Sequence, residues 1–167
     1  MFIVWIITII LFISFGLIVF RGAPYVPTLS KNLDQAFELY PVDAGDLVVD
    51  LGSGDGAVLL AGVKRGARVV GYELNPFLAL ISRFRLRRFS KLAEVKIIDF
   101  WNLEKLPEKT TLVYIFGVGR DMQKLEKCLQ RWADSLPDKR LHVISFGFTL
   151  KNQKPIRTLG AMSLYEA

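Results

Sequence analysis

The stretch Asp50-Leu51-Gly52-Ser53-Gly54-Asp55-Gly56 restricts the possible folds of this chain more than any other segment. It sits between the apolar run Leu47-Val48-Val49 and the apolar run Val58-Leu59-Leu60. Glycine reaches backbone conformations closed to other residues and lets a ligand approach the main chain. The segment therefore reads as a buried strand (46–51), a tight turn, and a helix over 57–64 that ends near Gly66. The same alternation continues downstream. A second strand is expected at 68–73. Asn75-Pro76 then supplies an N-cap and a proline at the first helical position, opening a helix that runs to about Phe89. Strands follow at 93–99 and 111–116. Over 121–136, Met122, Leu125, Leu129, Trp132 and Leu136 share one helical face. A fifth strand is expected at 140–148 and two short ones near 156–159 and 162–166. Strands alternating with helices imply an α/β, Rossmann-like, mostly parallel sheet covered by helices on both faces.

A different constraint governs the N-terminus. Residues 1–20 carry no charge, and Arg21 is the first ionised side chain. A helix of that length spans roughly 30 Å, the thickness of a hydrocarbon core. A cleaved signal peptide would want a basic start, a shorter apolar core and a small-residue cleavage site. The expected layout is one transmembrane helix (1–20), a Pro/Gly-containing linker (21–29) and an α/β domain (30–167). In that domain Ser30 caps a short amphipathic helix bearing Leu33, Ala36, Phe37 and Tyr40. Arg21 and Lys31 follow the span and no cation precedes it, so the positive-inside rule puts the domain in the cytoplasm. Size and the lack of a presequence point to a prokaryotic plasma membrane. The net charge of +6 falls on the part after the span and suits an anionic membrane surface or an acidic partner.

Three carboxylates end three successive strands: Asp50, Glu73 and Asp99. Open α/β sheets bind ligands at that edge. Taken singly, each reads equally well as a turn or N-cap carboxylate. Together with Gly52, Ser53, Gly54 and Gly56 they read as a nucleoside site. Glu73 can accept hydrogen bonds from two ribose hydroxyls. Asp99 can accept from an adenine amino group, with Phe100 and Trp101 covering the ring. The Gly-x-Gly-x-Gly spacing differs from the dinucleotide fingerprint. So many acids, and no Gly-Lys-Ser/Thr loop, disfavour a phosphate ligand and favour a sulfonium that carries an amino group. With one cysteine (Cys128) and one histidine (His142), neither an intramolecular disulfide nor a His/Cys metal site is expected.

These motifs resemble those of class I, seven-β-strand S-adenosylmethionine-dependent methyltransferases. More narrowly, the chain resembles the single-span protein lysine methyltransferases that modify the ATP synthase c subunit and the adenine nucleotide translocase. The resemblance runs from Tyr25 to about Pro155. It rests on Tyr25-Val26-Pro27-Thr28, the segment 45–56, Gly71-Tyr72-Glu73-Leu74-Asn75-Pro76, Asp99-Phe100-Trp101 and Phe116-Gly117-Val118. It implies S-adenosylmethionine as cofactor, with Pro27 and Thr28 over its methionine end. It adds Tyr25, Asn75 and Phe116 to the cofactor-binding residues. The chain departs from the family pattern at Leu29, at Ala57 and in the segment 147–150, near where substrate would enter. In place of the Asn/Asp-Pro-Pro-Tyr/Phe of amino-methylating nucleic-acid enzymes, this chain has Phe116-Gly117-Val118-Gly119.

The expected activity is methyl transfer to a lysine of a membrane-associated protein, with no nucleic acid or metal involved and no general base assigned. Two alternatives are methylation of a lipid, quinone or other small molecule, and a non-catalytic S-adenosylmethionine-binding membrane module. Several features have blander readings. His142, Cys128 and Trp132 read as packing residues, and Trp101 as either core or adenine contact. The run Arg83, Arg85, Arg87, Arg88, Lys91 reads as a solvated face, or as a contact for anionic lipid or an acidic partner.

Overall fold

The computed structural model describes residues 1, 2, 4–6, 30–117 and 121–167. The expected span over 1–20 lies outside the described residues apart from its first few, and the linker over 21–29 lies wholly outside them. Among the described residues, no helix is long and apolar enough to cross a membrane.

The elements are α1 (Ser30–Leu39), β1 (Leu47–Leu51), α2 (Ala57–Val63), β2 (Arg68–Glu73), α3 (Pro76–Leu86), β3 (Ala93–Ile97), β4 (Leu112–Phe116), α4 (Met122–Ser135), β5 (His142–Phe146), β6 (Arg157–Leu159) and β7 (Met162–Glu166), with short 3-10 turns at Arg87–Phe89 and Phe100–Asn102. They build a seven-stranded sheet in the order β3-β2-β1-β4-β5-β7-β6. β1 to β5 pair in parallel, while β7 runs antiparallel between β5 and β6. The mixed α/β, mostly parallel sheet is thus the expected one. The third strand stops two residues early because Asp99 turns to cap the Phe100–Asn102 turn, its Oδ1 accepting from the Trp101 N–H at 3.0 Å. The helix expected to reach Phe89 tightens into 3-10 geometry after Leu86.

Each face of the sheet carries its own apolar core. One gathers α1, α2 and α3 around Val48, Val69, Leu112 and Ile144. The other seats α4 through Leu125, Leu129 and Trp132 against Val49, Val113 and Val143. Alternate residues of β1 serve opposite cores, as the two-residue period of a strand demands. Cys128 packs in the second core. Trp132 is fully buried and donates its indole N–H to the Leu103 carbonyl at 3.1 Å. His142 begins β5, at the end of the sheet away from the glycine loop, and packs on Tyr40 with ring centroids 4.8 Å apart. At that same end Asp46 accepts hydrogen bonds from Tyr40 and Thr111, fastening the segment after α1 to the strand entries.

Candidate active site

β1 delivers Asp50 to the carboxyl edge of the sheet, beside Gly71 of β2 and Tyr114 of β4. The chain then turns through Gly52, Gly54 and Gly56, all with positive φ. At Gly52 (φ 85°) a side chain would meet no atom within 4 Å, so the backbone here faces open space. Gly56 serves packing instead. A β-carbon there would sit 2.3 Å from Ser82 Oγ and 3.2 Å from the Ser82 backbone. Its absence lets α3 close onto the loop. Gly71 plays the same part beneath, where a β-carbon would strike Leu59 and Ser53.

Glu73 holds this arrangement together. One carboxylate oxygen accepts the Gly54 N–H at 2.7 Å and the other accepts the Asn75 N–H at 2.7 Å. The side chain is 8% exposed. A carboxylate has roughly four acceptor positions, so two main-chain bonds leave room for ligand hydroxyls. Asn75 is committed to α3, its Oδ1 capping the N–H groups of Phe77 and Leu78. Asp99 lies beside Glu73, because the intervening Ile98 N–H donates to the Glu73 carbonyl at 3.1 Å.

The electrostatics favour a cation. Asp50 is 3% exposed, and burial, then Glu73, then Asp55 push its carboxyl well above the usual carboxylate range. Asp55 is itself held by Arg85 of α3 at 2.7 Å. A positively charged ligand would relieve the repulsion among these acids. Among the described residues no cluster of three His, Cys, Asp or Glu side chains is arranged to hold a metal.

Asp50, Gly52, Gly54, Glu73, Asn75 and Asp99 thus come together along the ends of β1, β2 and β3. Ser53 belongs to the loop, but its hydroxyl is buried against Gly71 and its N–H donates to the Tyr72 carbonyl, so it faces away from the open side. Phe100 and Trp101 are half-buried and pack with ring centroids 4.7 Å apart, tilted by 37°, and the Lys124 ammonium lies 4.4 Å from the Trp101 ring centre. Phe116 ends β4 and packs on Phe146 at 5.3 Å, with Phe148 lying against Gly117. Tyr25, Pro27 and Thr28, like Val118, lie outside the described residues. Sequence alone does not mark Ser82 or Arg85 as part of the site. The one hint of their roles is Gly56, a third glycine needing a neighbour that comes close.

The model of the ANTKMT methyltransferase domain matches residues 50–157, from the end of β1 to the first residue of β6. The chain belongs to this family. Relatives of known activity agree with it. The lysine N-methyltransferase of the ATP synthase c subunit from Homo sapiens is 37% identical over 127 residues, covering 75% of this chain and 52% of that protein. The adenine nucleotide translocase lysine N-methyltransferase of Mus musculus is 32% identical over 140 residues, covering 82% and 58%. The chain therefore spans little more than half the length of these curated relatives. An RNA methyltransferase from Salinibacter ruber, solved in complex with S-adenosyl-L-homocysteine, superimposes with a TM-score of 0.71 at 29% identity, covering 84% of this chain and 92% of that one. Membership fits the seven-stranded sheet with its antiparallel β7 and the acidic, glycine-lined edge.

Proposed function

We propose that this chain binds S-adenosylmethionine and transfers its methyl group to a lysine of a membrane-associated protein, with residues 1–20 as its membrane anchor and the domain on the cytoplasmic side. The observation that carries the reading is the open floor over Gly52, set between the buried acids Asp50 and Glu73. The cofactor fits it on chemical grounds. Glu73, with lone pairs left over from Gly54 and Asn75, would accept from ribose hydroxyls, and Asp99, with one oxygen not used by Trp101, would accept from the adenine amino group. Its positive ammonium and sulfonium suit the acids that raise Asp50.

When bound, the cofactor supplies an electrophilic methyl group whose bond to sulfur breaks as the bond to the acceptor nitrogen forms. The chain's own contribution is to hold the donor and admit the acceptor in line, which is chiefly positioning. Gly52 and Gly54 shape the floor, and Glu73 locks the loop to α3. Phe116, Phe146 and Phe148 wall the ends of β4 and β5. An entering lysine loses hydration there, which lowers its pKa and favours the neutral amine that can attack. Lysine is supported by the names of the human and mouse relatives, and a membrane-associated substrate by the uncharged segment 1–20.

A second reading, methylation of RNA, draws on the 29% identical Salinibacter enzyme and the net charge of +6. One experiment separates the two. The full chain in vesicles is incubated with methyl-labelled S-adenosylmethionine and with membranes and RNA from its source, beside a Glu73→Ala variant. Label recovered as methyl-lysine in protein, and lost with the variant, is the expected result. Label in RNA or in the lipid fraction replaces the lysine assignment, and cofactor binding without transfer leaves a tethered binding module.

A further inference from the structure

The outward side of α3 is built the wrong way round for a helix in water. Phe77, Leu80, Ile81 and Phe84 follow at i, i+3, i+4 and i+7, so they form one stripe. All four are exposed, Leu80 by 64% and Phe84 by 66%. The side packed against the sheet is made of Ala79, Ser82 and Leu86, half a turn away. Isolated exposed apolar residues are ordinary, but a contiguous apolar stripe on a surface helix marks a contact.

Charge says what kind. From Asn75 to Leu92 there is no acidic residue. Arg83 and Arg85 lie on opposite flanks of the stripe, held by the Val95 carbonyl and by Asp55 respectively. The Arg87 guanidinium lies 4.1 Å from the centre of the Phe84 ring. Arg88 and Lys91 continue past the helix, both exposed, and among the described residues no carboxylate pairs with either. Aromatic and aliphatic side chains on one face, bordered by arginines and a lysine of which Arg88 and Lys91 are unpaired among the described residues, are the composition of helices that lie in the plane of an anionic membrane. A second copy of the chain on this face would bring the like-charged borders together.

We propose that the outer face of α3 seats the domain on an anionic bilayer, with Phe77, Leu80, Ile81 and Phe84 inserted among the acyl chains and Arg88 and Lys91 against lipid phosphates. This contact is independent of the transfer reaction, since none of these side chains lines the glycine loop. It acts beside the uncharged segment 1–20 as a second attachment, which fixes how the domain is turned where a single span leaves it free to rotate. Only Leu74 and Asn75 separate Glu73 from the start of α3. Seating it therefore holds the start of the ligand edge close to the lipid surface.

The full chain is tested in vesicles of phosphatidylcholine with and without phosphatidylglycerol, in a Cys128→Ala background. A nitroxide is placed at Leu80→Cys or, on the other face of the sheet, at the exposed Gln130→Cys of α4. Collision with oxygen and with a water-soluble nickel complex gives the depth of each label. With phosphatidylglycerol the label at position 80 is expected roughly 5–10 Å into the headgroup and acyl boundary, and the label at 130 in water. Exchanging Arg88 and Lys91 for glutamate is expected to return the label at 80 to water. Equal nickel access at 80 and 130 overturns the proposal. So does shielding at 80 that is unchanged without phosphatidylglycerol and accompanied by an immobilised line shape, because protein then covers the stripe.

Discussion

Replacing Glu73 by glutamine separates a residue that only meets ligand from one that also builds the site. Its two oxygens accept the Gly54 and Asn75 N–H groups, each at 2.7 Å. Glutamine keeps the length and one carbonyl oxygen, but the other position becomes an NH2 donor. One main-chain N–H keeps a neutral partner and the other is orphaned in a buried place. Hydrogen bonds to charged groups contribute about 1.5–3 kcal/mol, and an orphaned buried donor costs about 1–3 kcal/mol. Against this, losing the Glu73 charge removes part of the repulsion acting on Asp50. The balance is a loss of about 2 kcal/mol, which for a domain of this size lowers Tm by roughly 4–8 °C. Near-UV circular dichroism of the ligand-free full chain at neutral pH measures it. A Glu73→Gln protein that melts within about 1 °C of the parent, while failing to bind S-adenosyl-L-homocysteine, would refute the structural role and leave Glu73 a ligand contact alone.

Asp50→Asn is expected to do the opposite, raising Tm without ligand while weakening binding of the cationic cofactor. The folded carboxyl titrates above its ordinary 3.8, so as pH rises from that value the unfolded chain releases this proton first and stability falls until the folded group has also ionised. The gain from asparagine is therefore present at neutral pH and vanishes below pH 3.8, which thermal melts across pH will show. The two glycines at the ends of the loop should part company. Gly56→Ala forces a β-carbon against Ser82 in a left-handed backbone, costing about 2–5 kcal/mol and lowering Tm accordingly. Gly52→Ala meets open space, so it costs only the backbone strain of about 1–2 kcal/mol and stays folded; if the proposed ligand floor is correct, its methyl lowers cofactor affinity in calorimetric titration.

Much of the site is legible from local chemistry. A strand, three glycines and a helix leave few arrangements for the main chain, and carboxylates at 50, 73 and 99 reach one edge once β1, β2 and β3 pair in parallel. The functions of individual members are less legible. In sequence Asn75 reads both as an N-cap and as a ligand contact, and in the fold its oxygen is occupied with the cap. Ser53 groups with the loop's binding atoms by position, yet its side chain turns beneath the strand because Gly71 leaves space there. Such assignments depend on which side of a turn has a neighbour, and local sequence does not carry that information.

The sequence by itself determined the order of strands and helices, the acidic and glycine-rich edge, and the uncharged character of residues 1–20. These follow from periodicity, turn chemistry and charge, all of which act over a few residues. The tertiary structure alone decided which side of α3 is the inside. Phe77, Leu80, Ile81 and Phe84 have the spacing that usually marks a buried face. They point outward because α3 closes to van der Waals distance over Gly56 through the small side chain of Ser82, on the opposite face. Periodicity shows that a helix has an apolar stripe. Which stripe is buried depends on the space left by residues far away in the chain.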